Sequence, residues 1–334
     1  LDTTAAGPAT DPAGRTGPRR GTRVPAALAS GLLLAGVSVV AGCRAADRDG
    51  VTPVPQLLAF LPWLLVPAGL ALLLAAFARW RPGLVWALAV LGTLAWYLEP
   101  YGRTGEPAGN AVAALRVLTS NVQFGGGTGA LVTAIRRERP DVVFVEECEY
   151  TCQARLVRTF GARLPHRSAV EAGGSEGSLI LSRFPLTRTP PVPGTLGMPG
   201  AVADVGGHTV HLQLAHPMPP LPGGLGPWRE ELGALRDHAA RNRGRSTVVA
   251  GDFNASQDHA AFRRILDAGL LDGARLSGSP RTPSWPARTA PRFGAQIDHV
   301  LVSADFSARG ARFLHLAGTD HRALVVDLTL HRRG

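Results

Sequence analysis

The chain has 334 residues, of which 45% are hydrophobic and 18% charged, against about 25% charged in an ordinary soluble protein. The deficit sits in the first third, where residues 1–111 hold 9 of the 35 basic and 6 of the 25 acidic residues and three stretches carry no charge: Val24 to Cys43, Gly50 to Ala78 and Pro82 to Leu98. This argues against a wholly soluble protein, and the net charge of +10, all of its basic side chains arginine and scattered along the sequence, forms no stripe that could track a phosphate backbone, so no stable nucleic-acid partner is expected.

A bilayer span needs about 20 mostly apolar residues. The pattern therefore predicts an Arg-rich tail over 1–23 and three transmembrane helices over 24–98. Arg15, Arg19, Arg20 and Arg23 precede the first span, and Arg79 and Arg81 occupy the tight turn between the second and third. By the positive-inside rule both regions are cytoplasmic, which makes the protein a multi-pass protein of the cell membrane with everything after Leu98 outside the cytoplasm. Pro62 and Pro67 kink the second span. Val40-Ala41-Gly42-Cys43 also fits a lipoprotein cleavage site with a lipid on Cys43, and that alternative leaves the C-terminal part outside as well.

Residues 99–114 are rich in Gly, Pro and Ala and read as a linker; residues 115–334 form one catalytic-size domain of ordinary composition. Strand patterns fall at 115–122, 141–147, 178–182, 201–205, 209–216, 247–252, 296–302 and 324–330, and amphipathic helices at 129–139, 152–160, 228–242 and 258–268. Gly206-Gly207 marks a hairpin turn. Strand pairs mixed with a few helices predict packed sheets with outer helices. Cys148 and Cys152 are spaced for a small bridged loop in an oxidising compartment, or for two packed thiols.

The informative residues are the polar groups that end apolar strands. Asn121, Glu146 with Glu147, His216, Asp252 with Asn254, Asp298 and Asp320-His321 each interrupt or abut such a run. Carboxylates and imidazoles there are costly unless they converge, and convergence of that kind suits a hard cation and a phosphate.

Ser-Asn-Val at 120–122, Pro-Asp-Val-Val-Phe-Val-Glu-Glu at 140–147, Gly-Asp-Phe-Asn at 251–254, Ile-Asp-His-Val-Leu-Val-Ser at 297–303 and Thr-Asp-His at 319–321 resemble, in order, the motifs of the endonuclease/exonuclease/phosphatase superfamily. The resemblance implies an α/β (α+β) four-layer sandwich, two central β-sheets flanked by helices, here preceded by the transmembrane helices. It also implies phosphoester hydrolysis with Mg²⁺, or Mn²⁺ in its place. Glu147 matches the metal-binding Glu, Asn121 the Asn that helps to hold the metal site, and Asp320 supports the metal side. Asp252 and Asn254 match the pair that orients the attacking water and binds a phosphoryl oxygen. His321 matches the catalytic imidazole that activates the water, Asp298 the carboxylate that fixes its tautomer, and His216 a phosphate-stabilising His of the nuclease and sphingomyelinase branches.

Two positions depart from the pattern. Many members carry Gln where this chain has Glu146, and an acidic or polar ligand where it has Gln123. Glu146 either alters metal occupancy or points to the opposite face of its strand.

Several membrane spans before such a domain resemble the teicoplanin-resistance proteins of the VanJ type, which implies a lipid-linked phosphate substrate such as undecaprenyl pyrophosphate, met at the membrane. The loop after His216, with Met218, Leu221, Leu225 and Trp228, faces such a chain or packs on its own domain. The alternatives are a phospholipase C-like, sphingomyelinase-like or nuclease activity, or a non-catalytic ligand-binding immunity protein.

Overall fold

The computed structural model of the protein describes residues 20–333. The tail with Arg15 and Arg19, and the side chain of Arg20, lie outside the described residues. The N-terminal part comprises α1 (Arg20–Ala45), α2 (Val54–Ala59), a 3₁₀ turn (Leu61–Leu64), α3 (Leu65–Ala78) and α4 (Arg81–Tyr97). The remainder begins with β1 (Ala111–Asn121), α5 (Thr128–Glu138), β2 (Val142–Glu146), α6 (Tyr150–Phe160), β3 (His166–Val170) and β4 (Ser178–Ser182). It continues with β5 (Leu186–Thr189), β6 (Gly200–Val205), β7 (His208–Ala215), α7 (Leu225–Arg241), β8 (Thr247–Asp252) and α8 (Ala260–Asp267). It closes with β9 (Leu270–Asp272), α9 (Gly273–Leu276), β10 (Asp298–Ser303), β11 (Phe306–His315) and β12 (Arg322–His331).

Two six-stranded mixed sheets form the centre, in the orders β11-β12-β1-β2-β4-β3 and β5-β6-β7-β8-β10-β9. One parallel pair lies in each, β1 with β2 and β7 with β8. The central strands alternate between two dry faces. Val117, Phe144, Leu214, Ala250, Val300 and Val326 fill the space between the sheets. Leu118, Val143, Val145 and Val325 turn outward onto α5 and α6, and Val249 and Leu301 onto α7 and α8. The result is the four-layer sandwich that the motifs implied. Gly206 and Gly207 join β6 to β7 with φ of 63° and 86°, values that a two-residue hairpin of type I′ demands. The strands without a strong sequence signal, β3, β5, β9 and β11, lie at or beside sheet edges, where one face stays wet and the alternation fades.

In the N-terminal part, α1, α3 and α4 pack on one another. Ala68, Ala71 and Ala75 give α3 a small-residue face that lets its neighbours approach, and Ser30 Oγ donates to Ala71 O at 2.8 Å. Outward faces leave Leu28, Leu32, Leu73, Val85 and Leu88 exposed. The segments Gly21–Ala45 and Leu61–Ala78, each of mean hydropathy 2.1, are long and apolar enough to cross a membrane; α4 is shorter, at 17 residues. The charge-free stretch from Gly50 to Ala78 is not one helix. Pro53, Pro55 and Pro62 divide it into α2, the 3₁₀ turn and α3, because each proline withholds a backbone donor.

This bundle is clamped to the sandwich. Asp49 accepts from Ala260 N at 2.6 Å and Ala261 N at 3.1 Å, capping α8 where His259, at its own N-cap, supplies no side-chain bond. Buried Asp258 is gripped by Arg281 at 2.5 Å and Arg44 at 3.5 Å, and Asp47 pairs with Arg263 at 2.5 Å. His259 Nδ1 accepts from Ser256 N at 2.9 Å, so its Nε2 donates to Pro55 O at 2.8 Å.

One close approach limits the active end of the sandwich. Gly251 has φ of 152°, and a Cβ on it would stand 2.0 Å from Ala215 O of the neighbouring strand. Gly251→Ala is therefore expected to destabilise the protein by roughly 2–4 kcal/mol through strand displacement; thermal unfolding at wild-type temperature would contradict this.

Candidate active site

The alternation that builds the inter-sheet core also builds the site. Asn121, Glu146 and Asp252 continue the inward face of β1, β2 and β8, and Asp298 opens that of β10. His216 follows β7 with the same inward parity, and His321 precedes β12. Register fixes two of the juxtapositions, since Asn121 pairs with Glu146 across β1 and β2, and Asp252 with Asp298 across β8 and β10. Every apolar layer below is dry, so the polar groups collect at one end.

Asp252, Asp298 and His321 form a buried cluster whose ligand-type atoms all lie within 4.8 Å of one another. His321 Nδ1 is 3.0 Å from Asp298 Oδ2, and its Nε2 is 3.6 Å from Asp252 Oδ2. Asn121 Nδ2 bridges Glu147 Oε1 at 3.1 Å and Asp252 Oδ2 at 3.2 Å, while its oxygen accepts from Gln123 N at 2.9 Å. The amide thus presents N–H to the carboxylates and joins the Glu147 side to the Asp252 side. Glu147 lies just past β2 with φ of 54°, and Asn254 just past β8 with φ of 47°. Such left-handed non-glycine residues gather where a site over-determines the backbone. Phe124 N donates to Glu147 Oε2 at 3.1 Å, and His216 Nε2 stands 3.9 Å from Glu147 Oε1. Asp320 is half-exposed, with Oδ1 3.9 Å from His321 Nε2. Asn254 commits one N–H to Pro217 O at 3.0 Å.

Among the supporting groups, Trp285 and Ser284 carry no motif signal, whereas Thr319 opens the Thr-Asp-His motif. Trp285 Nε1 donates to Asp320 Oδ2 at 2.9 Å. Asp298 N donates to Ser284 Oγ at 3.1 Å, and Thr319 Oγ1 donates to Asn121 O at 2.8 Å while accepting from His321 N at 3.1 Å. Trp228 does not face a lipid chain: it is fully buried in α7, against His259, and donates to Asn254 O at 3.1 Å. Leu221, 58% exposed, is the apolar residue of that loop left open. Cys148 and Cys152 are bridged, with Cα atoms 5.2 Å apart, tying the residue after Glu147 to the first turn of α6.

Charge is in excess here. Burial raises the Asp252 carboxyl and Asp298 adds to it, against the pull of His321, for a pKa of about 7. Burial disfavours a charged His321, yet Asp298 and Asp252 push it up to about 10. Burial, then the charge on His321, holds His216 down to about 3, so that ring is neutral. Glu146 points inward beneath the site rather than to the opposite face, where Thr119 Oγ1 donates to it at 3.1 Å. Burial, with Asp298 and Asp252 beside it, drives its carboxyl well above the usual range. A protonated Glu146 is neutral and can donate, as a glutamine would.

Against four further carboxylates, Glu147, Asp252, Asp298 and Asp320, the cluster sets one charged imidazole. Oxygen donors with surplus negative charge fit a hard divalent cation, and Glu147, accessible at the mouth, is the residue best placed to hold it.

Glu146 generates a prediction with a definite sign. Its folded pKa lies above the unfolded value near about 4.3, so the unfolded state releases its proton first and stability falls as pH rises through that value. Glu146→Gln removes the loss. Metal-stripped protein carrying it should melt above wild type at pH 8, with the gap closing toward pH 4; a lower melting temperature at pH 8 would reject the neutral-carboxyl assignment.

Residues 118–321 match the Endonuclease/Exonuclease/phosphatase family. No curated protein matches the chain. Among solved structures, an endonuclease/exonuclease/phosphatase from Beutenbergia cavernae is similar at 22% identity and a TM-score of 0.55, over 66% of this chain and 72% of that one. A humanized D. rerio TDP2 is similar at 14% identity and a TM-score of 0.55, over 65% and 99%. A mannosyl-6-phosphatase of Bacteroides thetaiotaomicron is similar at 15% identity and a TM-score of 0.50, over 64% and 99%. With the motifs in order, the two-sheet sandwich around them and the match across most of the domain, this chain belongs to the endonuclease/exonuclease/phosphatase family.

Proposed function

We propose that the protein is a membrane-anchored, Mg²⁺-dependent phosphoesterase that hydrolyses a lipid-linked pyrophosphate, such as undecaprenyl pyrophosphate, on the outer face of the cell membrane. In this reading α1, the 3₁₀ turn with α3, and α4 are the spans, with Arg23, Arg79 and Arg81 cytoplasmic. A bridged Cys148–Cys152 pair accords with an oxidising compartment. The substrate would also link the protein to teicoplanin resistance.

The observation that carries the lipid assignment is how the walls of the site are held. Pro217 O accepts from Asn254, and three residues on, Pro220 O accepts from Gln56 of α2. On the other side Trp285 bonds Asp320 and packs on Phe60, while Phe293 stacks on Phe60 at 5.2 Å and Trp63 Nε1 donates to Gly294 O at 3.0 Å. Both loops that flank the catalytic groups thus rest on α2 and on the 3₁₀ turn that begins the second span. A phosphate at the bilayer surface is presented between them.

Glu147 would hold a divalent cation, which would supply electrophilic stabilisation of phosphate oxygens. In this reading Asp252, its carboxyl raised by burial, takes the proton of the attacking water. His321, charged at neutral pH, compensates the phosphate and gives its Nε2 proton to the leaving oxygen. The 3.6 Å between His321 Nε2 and Asp252 Oδ2 has to close to hydrogen-bond length for the proton to return. His216, neutral, donates a hydrogen bond without adding charge.

Full-length protein in nanodiscs is expected to release phosphate from undecaprenyl pyrophosphate with Mg²⁺ and not with chelator. His321→Ala and Glu147→Gln should each lower kcat by about 10³-fold or more. Retained activity in either variant sinks the assigned roles, and cleavage of phospholipid or DNA in preference to the pyrophosphate replaces the substrate.

A further inference from the structure

Away from the catalytic cluster, a groove of about 620 Å³ runs between α1 and the face of the sandwich formed by α7 and α8. Its lining is both apolar and basic: Val39, 56% exposed within the apolar part of α1, and Val51, 70% exposed, share it with Arg48, Arg229, Arg236 and Arg264, against the single carboxylate Asp49. Asp49 is turned to the N–H groups that open α8, and one carboxylate leaves the arginines in excess.

The sequence spacing explains the line of charge. Arg229, Gly233 and Arg236 are separated by four and three residues on α7, which places them along one helix face. Between the two arginines Gly233 leaves the floor open, since a Cβ there would meet nothing within 4 Å. Arg229 is oriented by its bond to Gly50 O. Arg236 and Arg264 each share charge with an exposed neighbour, Asp237 at 2.7 Å and Asp47 at 3.5 Å, contacts of little strength in water. Arg48 makes no side-chain bond to another described residue.

We propose that this groove binds the headgroup phosphate of an anionic phospholipid from the leaflet on the catalytic-domain side, with its acyl chains lying along Val39 and Val51. The arginines supply charge-assisted donors for phosphate, and Val39 in the same lining belongs to α1, the helix read above as a span, which selects a lipid phosphate over a soluble anion. The site lies beside Asp49 and α8, so an occupying lipid would brace the clamp between bundle and sandwich. It is separate from the pyrophosphate site and rests only on the membrane reading of α1.

The test uses full-length protein and four probes: phosphatidylglycerol, phosphatidylcholine, glycerol 3-phosphate and vesicle flotation. Native mass spectrometry should show retained phosphatidylglycerol in preference to phosphatidylcholine, without competition from glycerol 3-phosphate. The double variant Arg229→Ala, Arg236→Ala should weaken that binding by about tenfold or more. Gly233→Trp fills the floor at a helix position where a side chain is tolerated, and should do the same while flotation persists. Flotation with unchanged phosphatidylglycerol binding in both variants overturns the groove alone. Failure of the wild type to float overturns the membrane reading and the groove together, whatever substrate is hydrolysed.

Discussion

Ionised carboxyl groups at the end of a dry core must be compensated, and the architecture of this protein follows from how that is done. Asp252, Asp298 and Glu146 lie on inward strand faces that are otherwise Val, Leu, Ile, Ala and Phe. Left alone, they would oppose packing of the two sheets. His321 answers two of them from a position just before β12, and Asn121 links Asp252 to Glu147 at the mouth. Glu146 is accommodated differently, its carboxyl pushed well above the usual range by burial and by Asp298 and Asp252 beside it. The surplus that remains suits a divalent cation.

The same logic of compensation joins the sandwich to the helices before it. Asp258 and His259 are buried next to the catalytic layer, and their partners come from α1, from Pro55 and from Arg281, which also donates to the carbonyls of Tyr97 and Leu98. Asp49 caps a helix of the other half of the molecule. Trp228 then connects this layer to Asn254, since it packs on His259 and donates to the Asn254 carbonyl. The geometry at the reacting end is thus continuous with the anchoring of the domain.

Much of this was legible in the residues. Strands β4 and β8 fall where alternation places them, and β1, β2, β6, β7, β10 and β12 within a few residues of it, because both faces of a central strand are buried and the apolar signal is strong. The edge strands β3 and β11 were not legible. HRSAV is half-wet, and β11 carries two arginines, Arg309 and Arg312, and a bulge where Gly310 has φ of 62°. For Trp228 the residues left two readings open, and the first turn of α7 decides for packing on its own domain by turning the ring inward.

What the sequence alone determined is local and periodic: charge-free segments long enough for a bilayer, strands whose inward faces end in Asn, Glu, Asp and His, and motifs whose order identifies a family. The tertiary structure decided what depends on groups far apart in the chain. It turned Glu146 inward, paired Cys148 with Cys152, aimed the Asn121 N–H at two carboxylates, and set the site between two loops that rest on α2 and the 3₁₀ turn. The reason is physical. Periodicity reports which face of an element is dry, but a pKa, a cap or a wall depends on which other elements deliver charge and surface to that face.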